Sequence, residues 1–124
     1  MNIRKDLAAQ LREKLPDDWT VLDVGVALEN PLRPVVVIRQ QDVKRNAGAP
    51  RKYRDKGFVV ALVEPGLAVD LVEDALDDDV VLLLDALEDL PMPGLIWTEA
   101  ERVTFQGRFA GYDVHVTITT EKED

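Results

Sequence analysis

Apolar residues recur along the first turns at the spacing of one helical face: Ile3, Leu7, Leu11 and Leu15, with Ala8 beside them. This period predicts an amphipathic helix over residues 2–15. Arg4, Lys5, Asp6, Arg12, Glu13 and Lys14 fall on its outer face, Asn2 stands where an N-cap is wanted, and Pro16 with Asp17 ends it. Trp19–Val26 reads as a short strand, followed by a turn at Asn30, Pro31 and Pro34. Val35–Gln41 opens with four β-branched residues in a row, and Gly57–Glu64 is a second apolar run closed by Pro65 and Gly66. Both read as strong strands.

A second helix is predicted over Leu67–Leu90, where Val72, Leu76, Val80, Leu83, Leu87 and Leu90 keep three- and four-residue spacing. Asp77, Asp78 and Asp79 interrupt it. The apolar spacing continues across them, so one helix with a solvated acidic face is expected. Two final strands follow, Ile96–Gln106 and Tyr112–Thr120. In the last, Tyr112, Val114, Val116 and Ile118 alternate with Asp113, His115, Thr117 and Thr119, which is the period of a strand with one buried face. Gly107 to Gly111 between them suggests a hairpin.

The element order is therefore α–β–β–β–α–β–β. This points to an α+β domain: a mostly antiparallel sheet of four to five strands with two main helices packed on it. A chain of 124 residues fits one domain over 1–124, with 121–124 expected to fray. The amino-terminal segment has no apolar core of a signal peptide, and no apolar run approaches the ~20 residues of a membrane span.

Charge changes this picture in one place. The net charge is −9. Residues 43–56 nonetheless hold six Lys or Arg against one Asp, a net +5, which leaves −14 on the remainder. These are Lys44, Arg45, Arg51, Lys52, Arg54 and Lys56, grouped around Gly48, Pro50 and Tyr53. With no hydrophobic period, the segment reads as a long polar loop or extended arm between the second and third strands. Loops of this length are usually functional or disordered. In a head-to-tail ring of identical copies, a basic arm meets an acidic neighbour, for instance the Asp77–Asp79 face.

Candidate chemistry is sparse. There is no cysteine and one histidine, so no thiolate metal site or thiol nucleophile exists. His115 beside Asp113 reads as a solvent-facing or interface residue of a strand. Asp77–Asp79 cannot converge on one ion, because successive helical residues point about 100° apart. No phosphate-cradling or nucleophile-elbow motif occurs. Catalytic, cofactor-binding and metal-ligating residues are therefore not expected, and Trp19 and Trp97 read as core or interface anchors.

The order of these segments resembles the tail terminator, or tail completion, proteins of long-tailed bacteriophages and prophages. The likeness runs through IRKDLAAQLREKLP, the strands PVVVIRQQ and GFVVALVEP around the polar loop, the helix LAVDLVEDALDDDVVLLLDALEDL and the closing WTEAERVTFQGRFAGYDVHVTIT. It implies a structural virion protein, made in the host cytoplasm and placed in the neck region of the tail. It also implies a homohexameric ring that caps the head-proximal end of the tail tube, ends its polymerisation and joins the tail to the head connector or stopper protein. Genomic DNA would pass through the lumen without specific binding, and no membrane is involved. Another neck or tail subunit, such as a connector or tube protein, shares these traits. A small nucleic-acid-binding module using residues 43–56 is a third reading, and an enzyme built on His115 and Asp113 a fourth.

Overall fold

The Asn2 side-chain oxygen accepts the backbone N–H of Lys5 at 3.1 Å, so the first helix begins where its capping residue places it. The computed structural model describes residues 2–24, 31–45, 53–66 and 69–121, the side chains of 69–71 excepted. Helix α1 spans Ile3–Lys14, strand β1 Thr20–Leu22, β2 Val35–Arg45, β3 Tyr53–Val63, helix α2 Val69–Glu88, β4 Leu95–Phe105 and β5 Phe109–Glu121. The order is the expected α–β–β–β–α–β–β, and the α+β class holds.

The strands form one sheet in the order β1-β2-β3-β5-β4. Every pairing is antiparallel except β1 with β2, where Thr20 and Leu22 lie opposite Val35 and Val37 in parallel register. Parallel neighbours need a connection of about a dozen residues, and the stretch from Leu22 to Val35 supplies it. The strand expected over Trp19–Val26 is shorter for the same reason: only Thr20–Leu22 joins the ladder, and residues 25 and 26 lie outside those described.

Both helices pack on one face of the sheet. Leu7, Ala8 and Leu11 of α1 and Leu76, Val80, Leu83 and Leu87 of α2 share a core with Val36, Ile38, Phe58, Val60, Leu62, Val114, Val116 and Ile118. The stripes read from the sequence are thus the buried ones, and α2 runs unbroken through Asp77–Asp79. Arg12, on the outer side of the α1 stripe, reaches back to the carbonyl of Val21 with two donors, at 2.7 and 3.2 Å, and ties α1 to β1. Val35, Val37, Ala61, Val63 and Phe109 form a smaller apolar cluster on the other face. The unbroken run Val35–Ile38 is buried at every position because both faces of β2 are covered there.

Three boundaries differ from the sequence reading. Residues 43–45 and 53–56, expected as loop, belong to β2 and β3. Their ladder continues through Val43↔Lys56, Lys44↔Asp55 and Arg45↔Arg54, and β5 flanks β3 as far as Tyr53↔Glu121. Backbone pairing needs no apolar side chain, so polar residues extend a strand whose faces meet water. Glu121, expected to fray, closes β5; residues 122–124 lie outside those described, as do 46–52 of the basic segment. The hairpin turn is at residues 106–108, not at 107–111. Gln106 and Gly107 both take positive φ, 51° and 70°, and the Arg108 N–H donates to the Phe105 carbonyl at 3.0 Å. This is the left-handed turn that suits strand twist.

Gly111 has a different task. A Cβ at this position would lie 2.3 Å from the Leu62 carbonyl oxygen in the neighbouring strand β3. The Gly111→Ala variant is expected to lose at least about 1–3 kcal/mol of stability, as overpacked interiors do. Chemical denaturation followed by circular dichroism measures this, and an unchanged midpoint would refute the close approach.

Candidate functional site

Five of the seven residues singled out in the basic segment are brought together at one end of the sheet. Lys44 and Arg45 end β2; Tyr53, Arg54 and Lys56 begin β3. Arg51 and Lys52 lie outside the described residues. Alternation divides the five. Arg45, Arg54 and Lys56 share the helix-bearing face with Val43, while Lys44, Tyr53 and Asp55 take the other. Asp55 accepts from the Thr119 hydroxyl at 2.7 Å, and Lys44 lies 3.7 Å from Asp42.

Arg45 and Arg54 are direct cross-strand partners, and both are exposed. Like charges opposite each other on one face of an antiparallel pair repel. The next residue across the ladder, Thr120, is neutral. The sheet therefore sets two arginines opposite each other, in a protein of net charge −9.

The acidic triplet does not act as one surface. Asp77 and Asp78 are exposed on α2, but Asp79 is half buried and hydrogen-bonds Glu64. The expectation of a solvated face through all three fails at Asp79, because the 100° step between helical residues turns it back toward the sheet. The outer side of α2 instead carries Asp74, Asp78 and Asp85, with Val81 and Leu82 exposed among them.

Glu64 is the residue the sequence reading passed over. It follows Val63 directly, and strand alternation sets it on the same face as Leu62 and Val60, where it is 6% exposed. Its Oε2 is buried without a hydrogen-bond partner. Burial pushes the carboxyl up to about 8, and the hydrogen bond and charge of Asp79 push the same way. The available signal was a lone acid ending the run FVVALVE: a position that continues a buried strand inherits its burial.

One ion pair fixes α2 to β4, and one histidine–carboxylate contact joins β5 to β4. The Arg102 guanidinium on β4 grips both carboxylate oxygens of Glu73 on α2, one at 2.6 Å. The Arg102 hydrogen bond holds the Glu73 carboxyl below the usual carboxylate range. His115, half buried on the helix-free face, has Nε2 3.8 Å from the Glu101 carboxylate. Asp113 sits on the same face, opposite Glu101 in the ladder. Among the described residues, no three His, Asp or Glu side chains are grouped to hold a metal ion, and no helix is long and apolar enough to cross a membrane. Trp19 and Trp97 are half buried against the main core, and the Trp97 indole N–H donates to Glu88 at 3.2 Å.

No protein-family model matches the chain, and no curated protein matches it.

The burial of Glu64, reinforced by Asp79, makes stability depend on pH with a definite sign. Glu64 binds its proton more tightly folded than unfolded, with values of about 8 against 4.5. Its contribution to stability is therefore largest below 4.5 and is lost as pH rises to about 8. The Glu64→Gln variant should flatten this slope and exceed the parent protein in stability on the alkaline side, by an amount on the order of a few kcal/mol. Thermal melts across that pH range measure it; parallel pH profiles for variant and parent would refute the shifted carboxyl.

Proposed function

We propose that this chain is a structural subunit of a phage-type tail. Copies form a ring at the head-proximal end of the tail tube, end its polymerisation and join it to the head connector. The observation that carries this reading is the Arg45–Arg54 pair: two like charges held opposite each other at the margin of an acidic protein. Such a pair costs free energy in the isolated subunit and is relieved when an acidic surface docks on it. A second copy offers that acidity. Sequential contacts between unlike surfaces of identical copies close into a ring when the rotation between them divides a full turn. The resemblance in segment order to tail terminators, read from the sequence, supports the same assignment.

The remaining acidity fits the passage of DNA. A lumen of net negative charge repels phosphates and lets a duplex slide without adhering. The same arginine pair also supports a second reading, a small nucleic-acid-binding module. That reading requires a steep loss of affinity with salt.

The test is charge reversal at Arg45 and Arg54 together. Negative-stain imaging of the parent protein, alone and with its tail tube, should show rings, and the double Glu variant should show none while keeping its circular dichroism spectrum. Rings that survive the double change would remove the basic end of the sheet from assembly. Tight binding of duplex DNA in a low-salt filter assay, lost in the same variant, would favour the nucleic-acid reading instead.

A further inference from the structure

The two lateral edges of the sheet are unlike, and among the described residues each is open. Strand β4 is terminal in the order β1-β2-β3-β5-β4, so among the described residues its ladder partner lies on one side, β5. At the other end β1 covers β2 only at Val35, Val36 and Val37. From Ile38 to Arg45, β2 is paired with β3 alone among the described residues. Arg39, Gln40, Gln41, Val43, Lys44 and Arg45 are exposed there. A free edge presents a row of unpaired N–H and C=O groups, which is a template for another strand.

The directions of the strands decide which edges can meet. Strands β2, β3, β5 and β4 alternate in direction along the sheet. Thus β4 runs opposite to β2. A second copy set beside the first by rotation about an axis along the strands keeps all its strand directions. Its β4 then lies antiparallel to the free half of the first copy's β2, and the ladder continues with the same hydrogen-bond pattern.

Charge selects the same partner. Glu99 and Glu101 on β4 pair with His115 and Asp113, which places both acids on the helix-free face. Arg39 and Lys44 on β2 pair with Val59 and Asp55, which places both bases on that face too. Asp42 shares that face, 3.7 Å from Lys44, and leaves the β2 edge with a net +1 there. Joining β4 to β4 would set acid against acid, whereas β2 with β4 sets edges of opposite net charge across a new pair. The acid surface that receives Arg39 and Lys44 is then the β4 edge, rather than Asp77–Asp79 of α2; Arg45 and Arg54 lie on the other face of the sheet.

Each edge also carries an irregularity in register, between Gln40 and Asp42 on β2 and between Trp97 and Glu99 on β4. Bulges of this kind bend the strand that carries them and increase its local twist. Bending is what a sheet needs to curve onto itself instead of growing flat.

We infer that β4 of one copy adds in antiparallel fashion to the Ile38–Arg45 half of β2 in the next, making one continuous sheet around the ring. This rests on the ring reading above and adds a contact on the helix-free face, beside the Arg45–Arg54 pair. The absence of cysteine in the chain gives a clean test. One set of variants carries Arg39→Cys or Lys44→Cys, the other Glu99→Cys or Glu101→Cys. Each variant is oxidised in a thiol redox buffer, alone and mixed with a member of the other set. At least one mixed pair should give a covalent dimer, and no single variant should. Its doubly substituted form should give a ladder of covalent multimers. Covalent dimers from single variants would overturn the unlike-edge contact. Rings seen by electron microscopy with no mixed pair linked would overturn strand addition and leave the ring reading standing. A chain that stays monomeric in sedimentation up to its solubility limit, with no mixed pair linked, overturns both. Reversal of Glu99 and Glu101 to Lys should abolish association, and combining it with Arg39→Glu and Lys44→Glu in the same chain should restore it.

Discussion

Six consecutive residues of β3, Phe58–Val63, are buried, and most of the architecture follows from that constraint. A strand has two faces, so an unbroken buried run must be covered on both. Phe58, Val60 and Leu62 meet the helices, and Ala61 and Val63 meet the smaller cluster with Val35, Val37 and Phe109. Lateral cover comes from β2 and β5, which pair with β3 along almost its whole length. Gly111 shows how close the strands stand, since no side chain fits between its Cα and the Leu62 carbonyl. The helices then have one surface to cover, and the two stripes of leucine and valine fit it from either side of β3.

The same constraint buries a carboxyl group. A strand does not stop alternating where its apolar residues end, so Glu64 takes the inward position that follows Leu62. Asp79 is turned toward it from α2, and the two acids meet at the edge of the core. Elsewhere charge acts at the surface and fastens elements: Arg102 to Glu73 between β4 and α2, and Arg12 to the Val21 carbonyl between α1 and β1. The exposed Arg102–Glu73 pair contributes little stability by itself. The effect of the two contacts is to fix where α1 and α2 lie along the sheet.

Side-chain periodicity made much of this legible in advance. Leu7 and Leu11, Leu76 to Leu90, and Val114 to Ile118 are buried on the faces their spacing assigned. What spacing records is burial, and it is silent where burial ends. Val43 to Arg45 and Tyr53 to Lys56 are strand because backbone groups find partners, which leaves no mark on side-chain polarity. The parallel entry of β1, the interrupted registers of β2 and β4, and the pairing of Arg45 with Arg54 are likewise products of alignment between distant segments. The basic cluster was readable as composition; its placement as a cross-strand pair was not. Asp79 was misplaced for a local reason, since three adjacent acids look alike in sequence while a helix points them three ways.

The position of Trp97 has an optical consequence. The protein holds two tryptophans. Trp97 lies half buried on the outermost strand with its indole N–H on Glu88, and Trp19 lies just before β1 at the opposite margin. Each lateral margin of the sheet thus carries its own fluorophore. With Trp19 replaced by Phe, the emission maximum of the remaining indole becomes a reading of how wet the β4 margin is, available in solution without any label.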